Sequence, residues 1–145
     1  MRRIALLVFL LIAAPLRAQW TALGDMPQPS RQGNALRFEN ARAVAVVTAL
    51  SPQVIRVRVT PAGTTMRDHS YAVINRDFSD PRAIITVVAG RSTISTSDLD
   101  VSIRHAPFRI AFSTAAGQSL DEDRDTGFSG TAVRVWKRLR DDEHI

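Results

Sequence analysis

The stretch that decides the fold is Val54-Ile55-Arg56-Val57-Arg58-Val59-Thr60. In an extended chain its aliphatic side chains Ile55, Val57 and Val59 lie on one face, and the residues between them lie on the other. This period of two predicts a half-buried β-strand. The preceding segment 42–50 is rich in valine and alanine and predicts a second strand. Ser51-Pro52 predicts the turn that joins the two.

Short segments of the same kind recur along the chain. Pro107 lies between the predicted strands 99–104 and 108–113, which suits a bend or an edge rather than a central strand position. Residues 115–118 predict a loop. The sequence shows no amphipathic helical pattern of useful length. We therefore predict an all-β fold, an antiparallel β-sandwich or barrel. The further predicted strands are 36–38, 71–74, 84–89 (expected to be buried), 99–104, 108–113 and 131–139.

The first 18 residues have the layout of a secretory signal peptide. Arg2 and Arg3 form a positively charged start, residues 4–14 form an uninterrupted apolar run, and Ala18 offers a small residue at a cleavage point. A membrane-spanning helix needs about 20 apolar residues, so this run is too short to be an anchor. We expect residues 1–18 to be removed on export to the periplasm or the extracellular space, leaving no membrane span in the mature chain.

Residues 19–33 predict a linker, because Gly24, Pro27, Pro29 and Gly33 interrupt any periodicity there. The β-domain is then expected to span residues 34–145. The chain contains no cysteine. This excludes disulfides, thiol catalysis and cysteine-based metal sites, so the domain must depend on its hydrophobic core.

The net charge does not indicate a nucleic-acid-binding protein. The chain has 19 lysines and arginines against 14 acidic residues, a formal charge of +5. Without the three arginines of the signal peptide the balance is 16 against 14, or +2. A nucleic-acid-binding domain concentrates its positive charge on one face, whereas here the arginines are scattered among acidic residues. We interpret them as solvated surface and expect no nucleic-acid partner.

The densest acidic cluster, residues 121–125, only partly matches a calcium-binding loop. Such a loop places ligands at alternate positions, a glycine at its sixth position and a glutamate at its twelfth. Here Gly127 falls one residue late, and Ala132 occupies the position of the closing glutamate. The cluster therefore predicts a solvated hairpin tip or linker, and we expect no metal there.

Other catalytic and cofactor motifs are missing from the sequence. His69, His105 and His144 are far apart and form no zinc-binding His-Glu-x-x-His motif. His105 ends an alternating segment and predicts a packed or capping histidine. The chain has neither a Gly-x-Ser-x-Gly nucleophile motif nor a glycine-rich phosphate loop. We therefore assign no catalytic residue, no metal ligand and no cofactor.

Trp136 is the best candidate for a contact with a sugar ring. Most aromatic side chains of a small domain belong to its core. In the last predicted strand, however, Trp136 lies on the face opposite to Val133 and Val135. If the two valines pack inward, the indole is exposed and available for stacking.

Three segments together resemble the N-terminal domain of glycoside hydrolase family 31, the α-glucosidase and α-xylosidase family. Residues 50–59, Leu-Ser-Pro-Gln-Val-Ile-Arg-Val-Arg-Val, resemble a strand pair of that domain with its proline turn. Residues 108–120, Phe-Arg-Ile-Ala-Phe-Ser-Thr-Ala-Ala-Gly-Gln-Ser-Leu, resemble its strand and glycine-centred hairpin. Residues 137–144 resemble the approach to the catalytic barrel. The resemblance covers residues 33–145.

The resemblance implies a β-sandwich similar to galactose mutarotase that packs against a catalytic (β/α)₈ barrel of the same parent chain. The implied reaction of the parent is retaining hydrolysis of terminal α-glycosides in oligosaccharides, with two barrel aspartates as nucleophile and acid. No aspartate of this chain matches those motifs. A Tyr-Gly-x-Gly-Glu type motif usually follows in the family, and the chain stops at Ile145 before it. This fragment is therefore expected to be non-catalytic.

Two alternatives remain open at the level of sequence. The chain could be a free-standing exported carbohydrate-binding module, which needs an exposed aromatic platform. It could also be an exported immunoglobulin-like adhesion or assembly domain, which the number of predicted strands permits.

Overall fold

The computed structural model describes residues 20–65 and 80–139, which form eleven strands in two antiparallel sheets. These ranges contain no helix, and thus no helix that could cross a membrane. The strand predicted at 71–74 lies outside the described residues. The strands are β1 (Thr21–Ala22), β2 (Ser30–Gln32), β3 (Ala35–Glu39), β4 (Ala43–Ser51), β5 (Val54–Pro61), β6 (Ile84–Val88), β7 (Arg91–Ser95), β8 (Leu99–His105), β9 (Phe108–Thr114), β10 (Ser119–Ser129) and β11 (Ala132–Lys137).

The smaller sheet has the order β2-β3-β4-β5 and contains the predicted strand pair. β4 and β5 form a hairpin in which Val47 lies opposite Val57 and Ala45 lies opposite Val59. The aliphatic face of β5 thus continues the buried face of β4, as the alternation predicts. β4 contributes four completely buried inward residues: Ala43, Ala45, Val47 and Ala49. Three of the four are alanine, so the opposite sheet can approach closely.

The larger sheet has the order β1-β10-β9-β8-β7-β6, and β11 also pairs with β10. β10 is the longest strand and changes partners along its length. Its first part pairs with β9, and its second part pairs with β11 and β1. Register shifts at residues 119–121 and 123–125 mark irregularities of the bulge type, which bend and twist a strand. The bent β10 therefore joins the central hairpins of this sheet to the β11 edge.

The core lies between the two sheets and is centred on Phe38 of β3. Its ring is completely buried and makes edge-to-face contacts with Phe108 and His105, at centroid distances of 5.2 and 5.4 Å. Aromatic pairs favour this geometry because a positive ring edge meets a negative ring face. The remaining buried apolar residues of this cluster are Leu23, Met26, Leu36, Ala43, Ala45, Val47, Ala49, Ala83, Ile94, Val101, Ile103 and Ile110.

His105 is a buried core residue, which confirms the prediction of a packed histidine. Its Nε2 is 2.8 Å from the Oγ of Ser92, which is also buried. The neutral imidazole and the hydroxyl thereby satisfy each other inside an otherwise apolar core. Burial lowers the pKa of His105, because the charged imidazolium would lose its hydration.

The lowered pKa of His105 predicts that acid destabilises the domain. A folded-state pKa below the unfolded value gives stability that is present above pH 6.5 and is lost as the pH falls through the folded pKa. The slope from this one group is at most about 1.4 kcal/mol per pH unit. We expect the free energy of unfolding, measured by urea at several pH values, to fall with decreasing pH more steeply in the original chain than in His105→Gln. Equal slopes in both would contradict the assignment.

The segment 19–33, predicted as a linker, forms part of the fold from residue 20 onward. β1 and β2 fall inside it, and Leu23 and Met26 are buried in the core. The backbone N–H of Leu23 donates to the carbonyl of Thr126, and that of Met26 donates to the carbonyl of His105. Two single apolar residues spaced by three give no strand periodicity. β1 pairs with β10 of the larger sheet and β2 pairs with β3 of the smaller sheet, so pairing with the two sheets determines this segment, which local pattern does not reveal.

Two further predictions about strands were wrong. The acidic segment 121–125 is not a hairpin tip or a linker but the middle of β10. The segment 84–89 forms β6 as expected, but it is an edge strand whose Ile84 is 68% exposed, not a buried one. In addition, β7 was missed because its residues 91–95 contain a single large apolar side chain, Ile94.

Candidate functional site

The most unusual chemistry of the described residues is a buried carboxylate on β10. Asp123 is 5% exposed, although it belongs to the acidic cluster expected to be solvated. Its Oδ1 accepts a hydrogen bond from Nζ of Lys137 at 2.7 Å, and its Oδ2 accepts one from the backbone N–H of Ile110 at 3.3 Å. Lys137 also donates to Oδ2 of Asp121 at 2.5 Å. One lysine on β11 therefore holds two carboxylates of β10.

The pKa values of this cluster reflect competition between burial and charge. Burial raises the pKa of Asp123, although the hydrogen bond and charge of Lys137 and the N–H of Ile110 oppose the shift. Burial by itself lowers the pKa of Lys137, but the hydrogen bonds and charges of Asp121 and Asp123 together outweigh it and raise that pKa. Lys137 is therefore a protonated partner that compensates the buried carboxylate of Asp123, whose burial is costly.

Both oxygens of the Asp123 carboxylate are engaged within the fold. A glycosidase nucleophile or acid needs a carboxyl group that faces a substrate at a defined distance from a second carboxyl group. Asp123 instead connects β9, β10 and β11 through Ile110 and Lys137. The cluster is thus suited to brace the sheet and not to attack a sugar. Within residues 20–65 and 80–139, no group of three histidine or acidic side chains is arranged to hold a metal ion.

A narrow apolar slot of about 80 Å³ lies beside this cluster, between β5 of one sheet and strands β9, β10 and β11 of the other. Two valines at its rim are open to solvent: Val57 is 39% exposed and Val135 is 42% exposed. The two sheets therefore leave part of their apolar surface unfilled along this edge. The slot is lined by Val57, Val59, Phe108, Ile110, Phe112, Asp123, Thr126, Val135 and Lys137.

Trp136, the predicted sugar contact, is half-buried and packs against other residues of the domain. Its ring meets that of Trp20 edge to face at a centroid distance of 5.9 Å. The guanidinium of Arg134 lies 4.4 Å from the ring centroid of Trp20 and 5.7 Å from that of Trp136. A Cβ atom at Gly127 would lie 3.3 Å from the Trp136 ring. The indole therefore packs over β10 at Gly127, where no side chain obstructs it. A carbohydrate contact at Trp136 stays a prediction.

The match to a family model decides the relationship of this chain. The model described as the glycosyl hydrolase 31 N-terminal galactose mutarotase-like domain matches residues 44–145, well over half of the sequence. The chain belongs to this family. A comparison with curated protein sequences found no match. The resemblance inferred from residues 50–59, 108–120 and 137–144 is thus confirmed, and so is the all-β antiparallel fold.

Solved structures of glycosyl hydrolase 31 enzymes contain the same fold. The GH31 dextranase of Flavobacterium johnsoniae, solved with glucose, matches with a TM-score of 0.74 and 23% identity over 84% of this chain. The cycloalternan-forming enzyme of Listeria monocytogenes, solved with a pentasaccharide substrate, matches with a TM-score of 0.58 and 16% identity over 72% of this chain. The matched regions are only 16% and 10% of those two chains. The mutarotase-like domain thus forms a small part of these larger proteins.

The sequence carries one signal for the Asp123–Lys137 pair. Lys137 is the only lysine in a chain with 19 basic residues. A lysine ammonium is a compact charge that forms hydrogen bonds in several directions, whereas an arginine presents a planar fork. The pairing itself depends on the register of β10 with β11, which places Asp123 opposite Lys137.

Proposed function

We propose that this chain is the non-catalytic N-terminal β-domain of an exported glycoside hydrolase of the α-glucosidase type. Its role is to pack against a catalytic (β/α)₈ barrel of the parent protein and to support hydrolysis of terminal α-glycosides in oligosaccharides. The observation that carries the proposal is the family match over residues 44–145, to a domain that is N-terminal by description in glycosyl hydrolase 31 proteins.

The position of the acidic residues supports a non-catalytic role. Retaining hydrolysis needs two carboxyl groups about 5–5.5 Å apart that flank the scissile bond. The most buried carboxylate of β10, Asp123, is held by Lys137 and Ile110, and its neighbour Asp121 shares the same lysine. Neither is free to act as a nucleophile while the other acts as an acid.

The apolar slot supports a contact with another domain. Partly exposed valines line its rim, and Val133 and Leu139 nearby in the chain are also exposed. Grouped exposed apolar side chains mark interaction surfaces in soluble proteins. The catalytic barrel is the partner we propose for this edge. Domain contacts within a chain are typically about 600–1,500 Å², so we expect the contact to extend beyond the slot itself.

Export is part of the proposal and depends on the signal-peptide pattern of residues 1–18. The n-region arginines, the apolar run and the small residue before Gln19 support it. A periplasmic or extracellular location also suits an enzyme that acts on oligosaccharides outside the cell. The absence of cysteine leaves the domain dependent on the core around Phe38 in that compartment.

An assay with p-nitrophenyl α-glycosides tests the non-catalytic role. We expect no hydrolysis by the purified 145-residue chain, because Asp121 and Asp123 are both held by Lys137, and we expect turnover by the complete product of the gene. Folding of the chain should be verified in the same sample by circular dichroism. Turnover by the chain alone that survives purification would contradict the proposal. Full activity of the complete product after deletion of this domain would contradict its supporting role.

A further inference from the structure

A row of arginines crosses the outer face of the larger sheet. Arg91 of β7 lies directly opposite Arg104 of β8, and Arg104 lies directly opposite Arg109 of β9. Directly opposite residues of an antiparallel pair lie on the same face, with Cβ atoms about 4.5–5.5 Å apart. Ser92 and Ile103, the chain neighbours of two of them, point inward and are buried. The three arginines, here called the arginine row, therefore point outward together.

The arginine row has no anionic partner in the described part of the chain. None of its three side chains forms an ion pair with a carboxylate of residues 20–65 or 80–139. In addition, Nη1 of Arg109 is buried and has no hydrogen-bond partner. Like charges directly opposite each other destabilise a sheet, and native proteins leave few buried donors unsatisfied. Both features indicate a site whose ligand is negatively charged.

The arginine row surrounds a depression large enough for a small ligand. The depression has a volume of about 280 Å³. Ser102 and Ala111 lie opposite each other on β8 and β9 and line the depression. Their side chains are too small to fill it. Glu122 also lines it but forms an ion pair with Arg138 at 3.5 Å. Glu122 therefore does not neutralise the positive charge of the arginine row.

We propose that the arginine row binds a tetrahedral oxyanion of the phosphate or sulfate class, free or as an ester. Each guanidinium presents five N–H donors in a planar fork that matches two oxygens of such an anion. Three arginines that line one depression from three strands can satisfy three or four oxygens, more than the two oxygens of a carboxylate provide. The buried Nη1 of Arg109 donates to the anion in this arrangement. The site lies on the outer face of the sheet, apart from the apolar slot, and is independent of the proposed function.

Thermal unfolding of the 145-residue chain in sodium phosphate, in sodium sulfate and in sodium chloride of equal ionic strength and pH tests this site. A ligand that binds only the folded state at ten times its dissociation constant raises the folding equilibrium constant about 11-fold. We expect the melting temperature to rise with phosphate or sulfate concentration and not with chloride. Stabilisation by one of the two anions alone identifies which class of ligand the site prefers. No difference between these anions and chloride would overturn the proposal.

Matched variants identify the residues responsible. Arg104→Gln and Arg109→Gln each remove one guanidinium, and we expect each to weaken anion binding by roughly 10- to 100-fold, the loss typical of a charge-assisted hydrogen bond. Arg31→Gln removes the same charge on β2 of the other sheet and should leave binding unchanged. Without the anion, Arg104→Gln should be at least as stable as the original chain, because it relieves repulsion. Equal binding in Arg104→Gln and Arg31→Gln would overturn the assignment.

Discussion

Replacing Phe38 by alanine is expected to lower the free energy of unfolding by about 3–5 kcal/mol. The ring is completely buried between the sheets and contacts Phe108 and His105. Its removal loses apolar burial and leaves a cavity that the two sheets cannot close, because strand pairing fixes their positions. Domains of this size have a total stability of about 5–15 kcal/mol, so Phe38→Ala should remove a large fraction of it.

Urea unfolding followed by tryptophan fluorescence measures the effect of Phe38→Ala. Glu39→Ala is the matched control, since Glu39 is the next residue of β3 and its side chain is exposed. Surface substitutions of this kind usually change stability by about 0.5 kcal/mol or less. Similar unfolding midpoints for Phe38→Ala and Glu39→Ala would contradict the placement of Phe38 at the centre of the core.

Replacing Lys137 by methionine is expected to cost about 1–3 kcal/mol at neutral pH. The substitution keeps most of the side-chain volume but leaves the buried Asp123 carboxylate without its cation. Because the ammonium of Lys137 is partly solvated, the cost should be lower than for a completely buried ion pair. Arg138→Met removes the same charge one residue later from a more exposed pair with Glu122, so we expect it to change stability little.

The pH dependence of Lys137→Met separates the loss of charge pairing from the loss of packing. Burial raises the pKa of Asp123, so its protonated form is favoured in the folded state, and the stability this confers is present below pH 3.8 and lost as the pH rises through the folded pKa. The variant should therefore approach the original chain in stability at low pH. Asp123→Asn should likewise recover most of the loss in the Lys137→Met background. A loss of stability in Lys137→Met that is the same at all pH values would contradict the role of Lys137 as the charged partner of Asp123.

Local alternation was sufficient to predict the strands β5, β8 and β9, in which one face is apolar and the other is largely polar, so the period of two is visible. β4 was predicted from its run of valine and alanine. Two of the three segments that carried the family resemblance, residues 50–59 and 108–120, overlap the β4–β5 hairpin and β9. Local pattern therefore predicted the strands whose inward residues are mostly aliphatic or aromatic.

Strands β1, β2, β7 and β10 were not predicted, because they are short or polar and their pairing with neighbouring strands determines them. β1 and β2 are only two and three residues long. β10 is acidic, and its one buried carboxylate is tolerated because the register with β11 supplies Lys137. The arginine row was likewise hidden, since Arg91, Arg104 and Arg109 look scattered until the registers of β7, β8 and β9 align them.

Reading the coding DNA beyond the codon for Ile145 tests most directly whether this domain serves a catalytic barrel. We expect an open reading frame that continues into a Tyr-Gly-x-Gly type motif and then a (β/α)₈ barrel, which typically takes about 250 residues. That barrel should carry the two aspartates of the proposed reaction. A stop codon directly after Ile145 would contradict the account and would leave a small β-protein with no barrel of its own to support.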